Sequence, residues 1–215
     1  MPSHVPALLE LVEVMDRLRR ECPWDREQTH ESLTRYLLEE TYETLEAIES
    51  LHDSMGEPGS GSGARDHLRE ELGDLLMQVY FHARIAEEVP REQGGFDLED
   101  VARGIVDKLV RRHPHVFAGV AVADAAEVER NWEQLKAEEK QRSGPTEGIP
   151  SALPALAYAD KVLSRFEKSG ASAPLPSGDG VGERLLALVQ EARAAGLDAE
   201  SELRRITRAW AEAGS

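Results

Sequence analysis

Two short segments put carboxylates where a buried helix would carry leucine. The first is Leu37-Leu38-Glu39-Glu40-Thr41-Tyr42-Glu43, and the second is Glu70-Glu71-Leu72-Gly73-Asp74-Leu75-Leu76. At about 100° per residue, Leu33, Leu37, Thr44, Ala47, Ile48 and Leu51 share one apolar arc. Glu40 lies inside that arc, Glu43 at its edge and Glu39 on its flank. In the second segment Leu68, Leu72, Leu75, Leu76, Val79, Ala83 and Ala86 share an arc, bordered by Glu71 with Asp74 one step outside. The i, i+3 spacing sets Glu40 and Glu43 on neighbouring turns, and likewise Glu71 and Asp74. Carboxylates buried together as bare anions repel one another and lose hydration. A divalent cation resolves both costs, and oxygen-only ligands select a hard ion, Mg²⁺ with Mn²⁺ as a substitute, over Zn²⁺. The competing reading is a solvated acidic face, since acidic runs occur throughout the chain. The registry of Glu40 and Glu71 with apolar arcs is what favours the metal.

Positioning these groups requires antiparallel helices, and the pattern supplies them. A first helix spans Val5 to Arg20, with Leu8, Leu11, Val12, Met15 and Leu18 at helical spacing. Pro23 breaks it at Cys22-Pro23-Trp24-Asp25. Asp25 with Gln28 resembles a capping box for the next helix. Trp24 reads either as a core plug or as a surface for stacking a base, and Trp24 and Asp25 are candidate substrate contacts. The second helix, about Thr29 to Leu51, is followed by a Gly/Ser-rich loop over 53–63 that turns the chain back into a third helix, about Asp66 to Glu88. Leu38, Leu45, Met77, Tyr80 and Phe81 make further faces of these helices apolar, so both should be covered on more than one side. Asp97 caps a fourth helix with Val101, Ile105 and Leu109 inward. Lys108 and Arg112 align with that face near the helix end, suited to phosphate oxygens. His113-Pro114-His115 reads as a turn. Asp124 caps a fifth helix carrying Val128, Trp132 and Leu135, and Trp132 again reads as core or as a nucleotide lid.

Composition narrows the classes. The 215 residues hold 41 acidic against 25 basic side chains, a net charge of −16, which argues against a nucleic-acid polymer as partner. A small phosphate ligand carried with Mg²⁺ stays open. Hydrophobic content of 40% supports a core, and 5% aromatics with abundant Leu, Ala and Glu suits helices. The single cysteine, Cys22, fits a reducing cytoplasm. No stretch is apolar enough to span a bilayer, and the amphipathic N-terminus with Glu10 and Glu13 does not read as a signal peptide.

The C-terminal part is a faded copy of the first. Pro154-Ala155-Leu156 with Val162, Arg165 and Phe166 echoes Pro6-Ala7-Leu8 with Val14, Arg17 and Leu18. Gly182 through Arg193 echoes Gly73 through Arg84, and Leu197-Asp198 through Ile206 echoes Phe96-Asp97 through Ile105. In this register Glu71 becomes Gly180, Lys108 becomes Ala209 and Arg112 becomes Ala213, and nothing replaces the second helix. The expected organisation is therefore a chemical helical repeat over 1–142, a linker over 143–150 and a degenerate repeat over 151–215 with a structural or dimerising role.

Taken together, Cys22-Pro23-Trp24-Asp25, Leu38-Glu39-Glu40-Thr41-Tyr42-Glu43, Glu71-Leu72-Gly73-Asp74-Leu75-Leu76, Lys108 through Phe117, and Trp132-Glu133-Gln134-Leu135-Lys136 resemble the MazG-type nucleoside triphosphate pyrophosphohydrolases. The resemblance runs from about Val5 to Lys140. It implies an all-α antiparallel bundle completed by homodimerisation, and Mg²⁺-dependent cleavage of nucleoside triphosphates to monophosphate and pyrophosphate, a house-cleaning of the nucleotide pool. It implies Glu40, Glu43, Glu71 and Asp74 as metal ligands with Glu39 close by, Lys108 and Arg112 as phosphate contacts, and Trp132 near the nucleotide. On this reading Glu39 or Glu40 orients the attacking water, and Lys108 and Arg112 take the departing pyrophosphate. Two alternatives stay open. A carboxylate-bridged iron protein would use Glu27 with His30 or Glu49 with His52, and a non-catalytic helical interaction module would use none of these groups.

Overall fold

In the computed structural model the described residues are 5–54, 61–140, 144–170 and 174–214. Ten α-helices run through them in the order α1 (Val5–Glu21), α2 (Pro23–Glu27), α3 (His30–Ser54), α4 (Gly61–Ala86), α5 (Leu98–Arg112), α6 (Pro114–Phe117), α7 (Ala125–Lys140), α8 (Ala155–Ser169), α9 (Val181–Ala194) and α10 (Ala199–Ala213). There is no strand among them, so the all-α expectation holds. The chain forms two compact units, Met1–Gly119 and Val120–Ser215. This division groups α7 with the C-terminal unit, whereas the sequence places it with the first repeat.

The first unit is built on the antiparallel pair α3 and α4. Their register is marked near the middle, where the Thr44 hydroxyl donates to the Glu71 carbonyl at 3.2 Å, and toward one end, where His30 meets His82 at 2.8 Å. Helix α1 lies against the second half of α4. The Tyr80 hydroxyl donates to the Leu8 carbonyl at 3.3 Å, and Arg84 donates to Asp16 at 3.1 Å. Met15, Leu33, Tyr80, Phe81 and Ile85 form the core, with Leu11, Tyr36, Met77 and Leu98 packed on it. The core thus sits toward one end of the pair, and the carboxylates lie nearer its middle.

Local chemistry sets the helix boundaries. Helix α3 is capped by a reciprocal pair, Thr29 and Ser32, each amide donating to the other's hydroxyl at 2.9 and 3.1 Å. This replaces the Asp25/Gln28 box expected from sequence; the Gln28 side-chain Nε2 instead donates to the Trp24 carbonyl at 2.9 Å. Helix α3 runs on to Ser54, and α4 begins at Gly61, before the expected start at Asp66. Residues 55–60 of the expected loop lie outside the described residues. Helix α5 starts as expected, with a capping box between Asp97 and Asp100, and Arg91 binds both carboxylates. The turn before it depends on two glycines. Gly94 has φ of 92°, and a Cβ on Gly95 would stand 1.8 Å from the Val89 carbonyl oxygen.

The outer faces differ from expectation. Val101, Ile105 and Leu109 of α5 are 37%, 46% and 41% exposed rather than inward. Leu38, Tyr42 and Ile48 of α3 and Leu72 and Val79 of α4 are exposed too, so part of the apolar surface expected to be covered on these helices stays open.

In the second unit α8, α9 and α10 pack on one another. Val189 is its buried aliphatic centre. Arg193 of α9 donates to Asp160 at 3.1 Å and to Glu167 at 2.7 Å on α8. Arg84 ties α4 to α1 in the same manner, so the echo between Arg84 and Arg193 extends to an interhelical ion pair. Asp198 caps α10, its carboxylate accepting from the Ser201 amide at 2.7 Å. Residues 174–180 are non-helical.

Candidate metal and nucleotide site

The seam between α3 and α4 brings Glu40, Glu43 and Glu71 together, with one carboxylate oxygen of each lying within 4.8 Å of the others. Glu71 is 9% exposed. His67, one turn earlier, holds its Oε1 at 3.3 Å, while its Oε2 is buried with no hydrogen-bond partner. A buried anionic oxygen without a donor is costly, and this one faces two other acids. Glu40 shows the electrostatic result. Partial desolvation pushes its carboxyl above the ordinary carboxylate range, reinforced by the charges of Asp74, Glu43 and Glu71. Asp74 therefore acts on the cluster electrostatically, although it is not one of the three groups whose oxygens converge. Glu39 is exposed, outside the convergent set.

A hard divalent cation fits this donor set. It would supply a partner for the Glu71 oxygen, and its charge would offset the repulsion that holds Glu40 high. The iron alternative finds no such support: His30 pairs with His82, and the one group of candidate ligands among the described residues contains carboxylates alone.

The other sequence candidates are distributed around the unit. Trp24 is 47% exposed, so it is not a core plug. Its ring meets Tyr36 edge-on at 5.7 Å and Phe81 at 6.3 Å, leaving part of the indole open. The turn that carries it is held by Arg19, whose guanidinium donates to the carbonyls of Asp25 and Gln28 and, through two nitrogens, to Glu88 at 2.7 and 2.9 Å. Asp25 itself is buried. Lys108 is exposed on α5, whereas Arg112, expected beside it as a second phosphate contact, is 4% exposed and buried in the fold. Trp132 lies on α7, in the other unit. His113 joins α5 to α6, which already holds Pro114 and His115, so the expected turn is confined to His113; its Nδ1 lies 2.7 Å from the Leu109 carbonyl, and the His113 and His115 rings are 5.6 Å apart.

Sequence reasoning does not single out three seam residues: Thr44, Gln78 and His82. Thr44 reads as one more small residue of the apolar arc. Gln78 and His82 fall, on the same wheel, within the arc of Glu71 and Asp74, and that shared face is the signal that marks them.

The described residues form an all-helical fold in which carboxylates of one helix pair converge, and the comparisons specify its class. The MazG nucleotide pyrophosphohydrolase domain matches residues 28–117, which include every carboxylate of the cluster, Lys108 and Arg112, but not Trp24, Asp25 or Trp132. The chain is 37% identical over 229 residues to the nucleoside triphosphate pyrophosphohydrolase/pyrophosphatase MazG of Thermotoga maritima, covering 94% of this chain and 82% of that one. It is 42% identical over 196 residues to the nucleoside triphosphate pyrophosphohydrolase of Escherichia coli, covering 87% and 68%. It is 44% identical over 177 residues to that of Mycolicibacterium smegmatis, and here it spans only 50% of the relative's length. The chain belongs to the MazG family.

Proposed function

We propose that this chain hydrolyses nucleoside triphosphates between the α and β phosphates, releasing monophosphate and pyrophosphate with Mg²⁺ as its cation. The observation that carries the reading is the convergence of Glu40, Glu43 and Glu71 with the Glu71 Oε2 left without a donor. Glu40, Glu43 and Glu71 would hold the ion, with Asp74 completing the set. Bound there, the ion supplies charge neutralisation for the phosphates and a site for water at the attacked phosphorus. Glu39 or Glu40 accepts a proton from the attacking water. Lys108, exposed on α5, is available to the departing pyrophosphate, and Arg112 supports the same end of that helix. Trp24, half open, offers a face to the base.

We assign the chemistry to the first repeat and a structural role to the second, whose register places Gly180 where Glu71 stands. The exposed apolar residues of α3, α4 and α5 support a homodimer that covers them. No helix among the described residues is long and apolar enough to cross a membrane, and a cytoplasmic nucleotide pool is the setting we infer from the substrate. The deciding experiment is product analysis with Mg²⁺ and a panel of ribo- and deoxynucleoside triphosphates, beside Glu43→Gln. Monophosphate and pyrophosphate from the wild type, absent in the variant, are expected. Turnover unchanged in Glu43→Gln sinks the site, and no product with any nucleotide turns the reading to an interaction module.

A further inference from the structure

Between the carboxylates and the aromatic end of the α3–α4 seam stand two polar side chains that the proposed chemistry does not use. Gln78 is 2% exposed, and its Oε1 is buried without a hydrogen-bond partner. One turn further along α4, the Nε2 of His82 is also buried without a partner. Two orphaned polar atoms on successive turns of one helix face are uncommon in a folded chain and point to an absent group. The other nitrogen of His82 is accounted for. Its Nδ1 lies 2.8 Å from His30 Nδ1, with the rings coplanar to 3° and their centroids 5.1 Å apart. That centroid separation is the nitrogen–nitrogen distance plus the two ring radii, so the rings share an in-plane N–H···N bond rather than a stack. Burial, with His30 beside it, holds the His82 imidazole below its ordinary range and therefore neutral.

The missing group must donate to Gln78 Oε1 and accept from the Nε2–H that His82 carries when its Nδ1 takes the His30 proton. A phosphate oxygen only accepts, and a metal-bound water is held to donate. A hydroxyl does both, whether of a water or of a ligand that displaces it. Position narrows it further. Along α4, at 1.5 Å per residue, Gln78 stands about 6 Å past Asp74 and about 4.5 Å before Phe81, against which Trp24 packs. A nucleotide laid with its α-phosphate at the carboxylates and its base toward Trp24 has its sugar at that level. We propose that Gln78 and His82 form a sugar-hydroxyl subsite of the nucleotide site, with Gln78 accepting from the hydroxyl; this rests on the hydrolase reading above.

The test compares kcat/KM for a ribonucleoside triphosphate, its 2′-deoxy analogue and its 2′,3′-dideoxy analogue in wild type, Gln78→Leu and His82→Gln. Binding of a non-hydrolysable α,β-methylene triphosphate and ligand-free melting are measured in each. In the wild type, the step that removes the bound hydroxyl should lower kcat/KM at least about tenfold, the scale of one buried hydrogen bond. Which step does so tells the 2′-hydroxyl from the 3′-hydroxyl. Gln78→Leu removes an orphaned buried acceptor, so it should melt higher without ligand, bind the methylene analogue more weakly and level the sugar series. A level series in an active wild type overturns the subsite, and so does a Gln78→Leu variant that lowers all three substrates equally. A wild type that cleaves no triphosphate overturns the hydrolase reading and the subsite with it. Should Gln78→Leu fail to fold, the wild-type series and His82→Gln decide alone.

Discussion

The Thr44 hydroxyl donates to the main-chain carbonyl of Glu71 at 3.2 Å, from a residue 6% exposed, and so joins the two helices at the level of the carboxylates. The bond reaches across the seam to the backbone that carries a proposed metal ligand, and not to the Glu71 carboxylate itself. Thr44→Val keeps the shape and deletes the donor. We expect a loss of about 1 kcal/mol in urea unfolding, the ordinary worth of a buried hydrogen bond. Weaker Mg²⁺ binding should accompany it, because Glu71 is then held less firmly. Unfolding and metal titration on the same variant check both parts.

The Glu40 carboxyl is held above its ordinary range, first by desolvation and then by Asp74, Glu43 and Glu71. The metal-free folded chain therefore binds a proton there at a pH where the unfolded chain has released it. Stability from this group is lowest above the raised value and increases as pH falls through it toward the ordinary carboxylate range. Glu40→Gln should flatten that part of the profile and should stabilise the metal-free protein at neutral pH. With Mg²⁺ present the order reverses, since the wild type gains binding energy that the variant has lost. Melting temperatures with and without Mg²⁺ across pH 4 to 8, on the order of the range in which carboxylates and His82 titrate, test this. A wild type no less stable than Glu40→Gln at neutral pH without metal would refute it.

Arg19 and Glu88 form the complementary case. Arg19 pulls the Glu88 carboxyl below its ordinary range through their hydrogen bonds, with Arg84 adding to the effect. Their pairing is fully present above the ordinary carboxylate value and is lost as pH falls through the depressed one. Arg19→Ala removes the pair and the two carbonyl contacts that hold the Trp24 turn. About 2 kcal/mol of stability should go, an estimate reduced because Glu88 is half open to solvent. Acid unfolding should begin at higher pH, and Trp24 fluorescence should shift red. Equal acid midpoints in variant and wild type would contradict the assignment.

The carboxylate seam was legible because burial and charge conflict there: Glu40 and Glu71 sit on apolar arcs, and that conflict survives uncertainty in helix ends. The start of α5 was legible because Asp97 and Asp100 encode their own cap. The cap of α3 was misread because Thr29 and Ser32 satisfy each other's amides with hydroxyls, a weaker pattern than Asp25 with Gln28. The start of α4 was placed too late because Gly61-Ser62-Gly63 disfavours helix by propensity, and propensity is readily overridden. Arg112 and the outer face of α5 were not legible at all. A wheel gives the side of a helix, and only packing tells which side is covered, so Arg112 is buried while Ile105 is open.

The repulsive seam gives the free cation a structural as well as a chemical role. On the proposed reading, a bound cation would draw α3 and α4 together at the carboxylates; without it, Glu40, Glu43 and Glu71 push against one another at that level of the seam. The cheapest local opening of the first unit then lies at its ligand site, and a protease would find that site before the core around Phe81. If the seam holds its cation as proposed, the lifetime of the chain in a cell is tied to the supply of that ion.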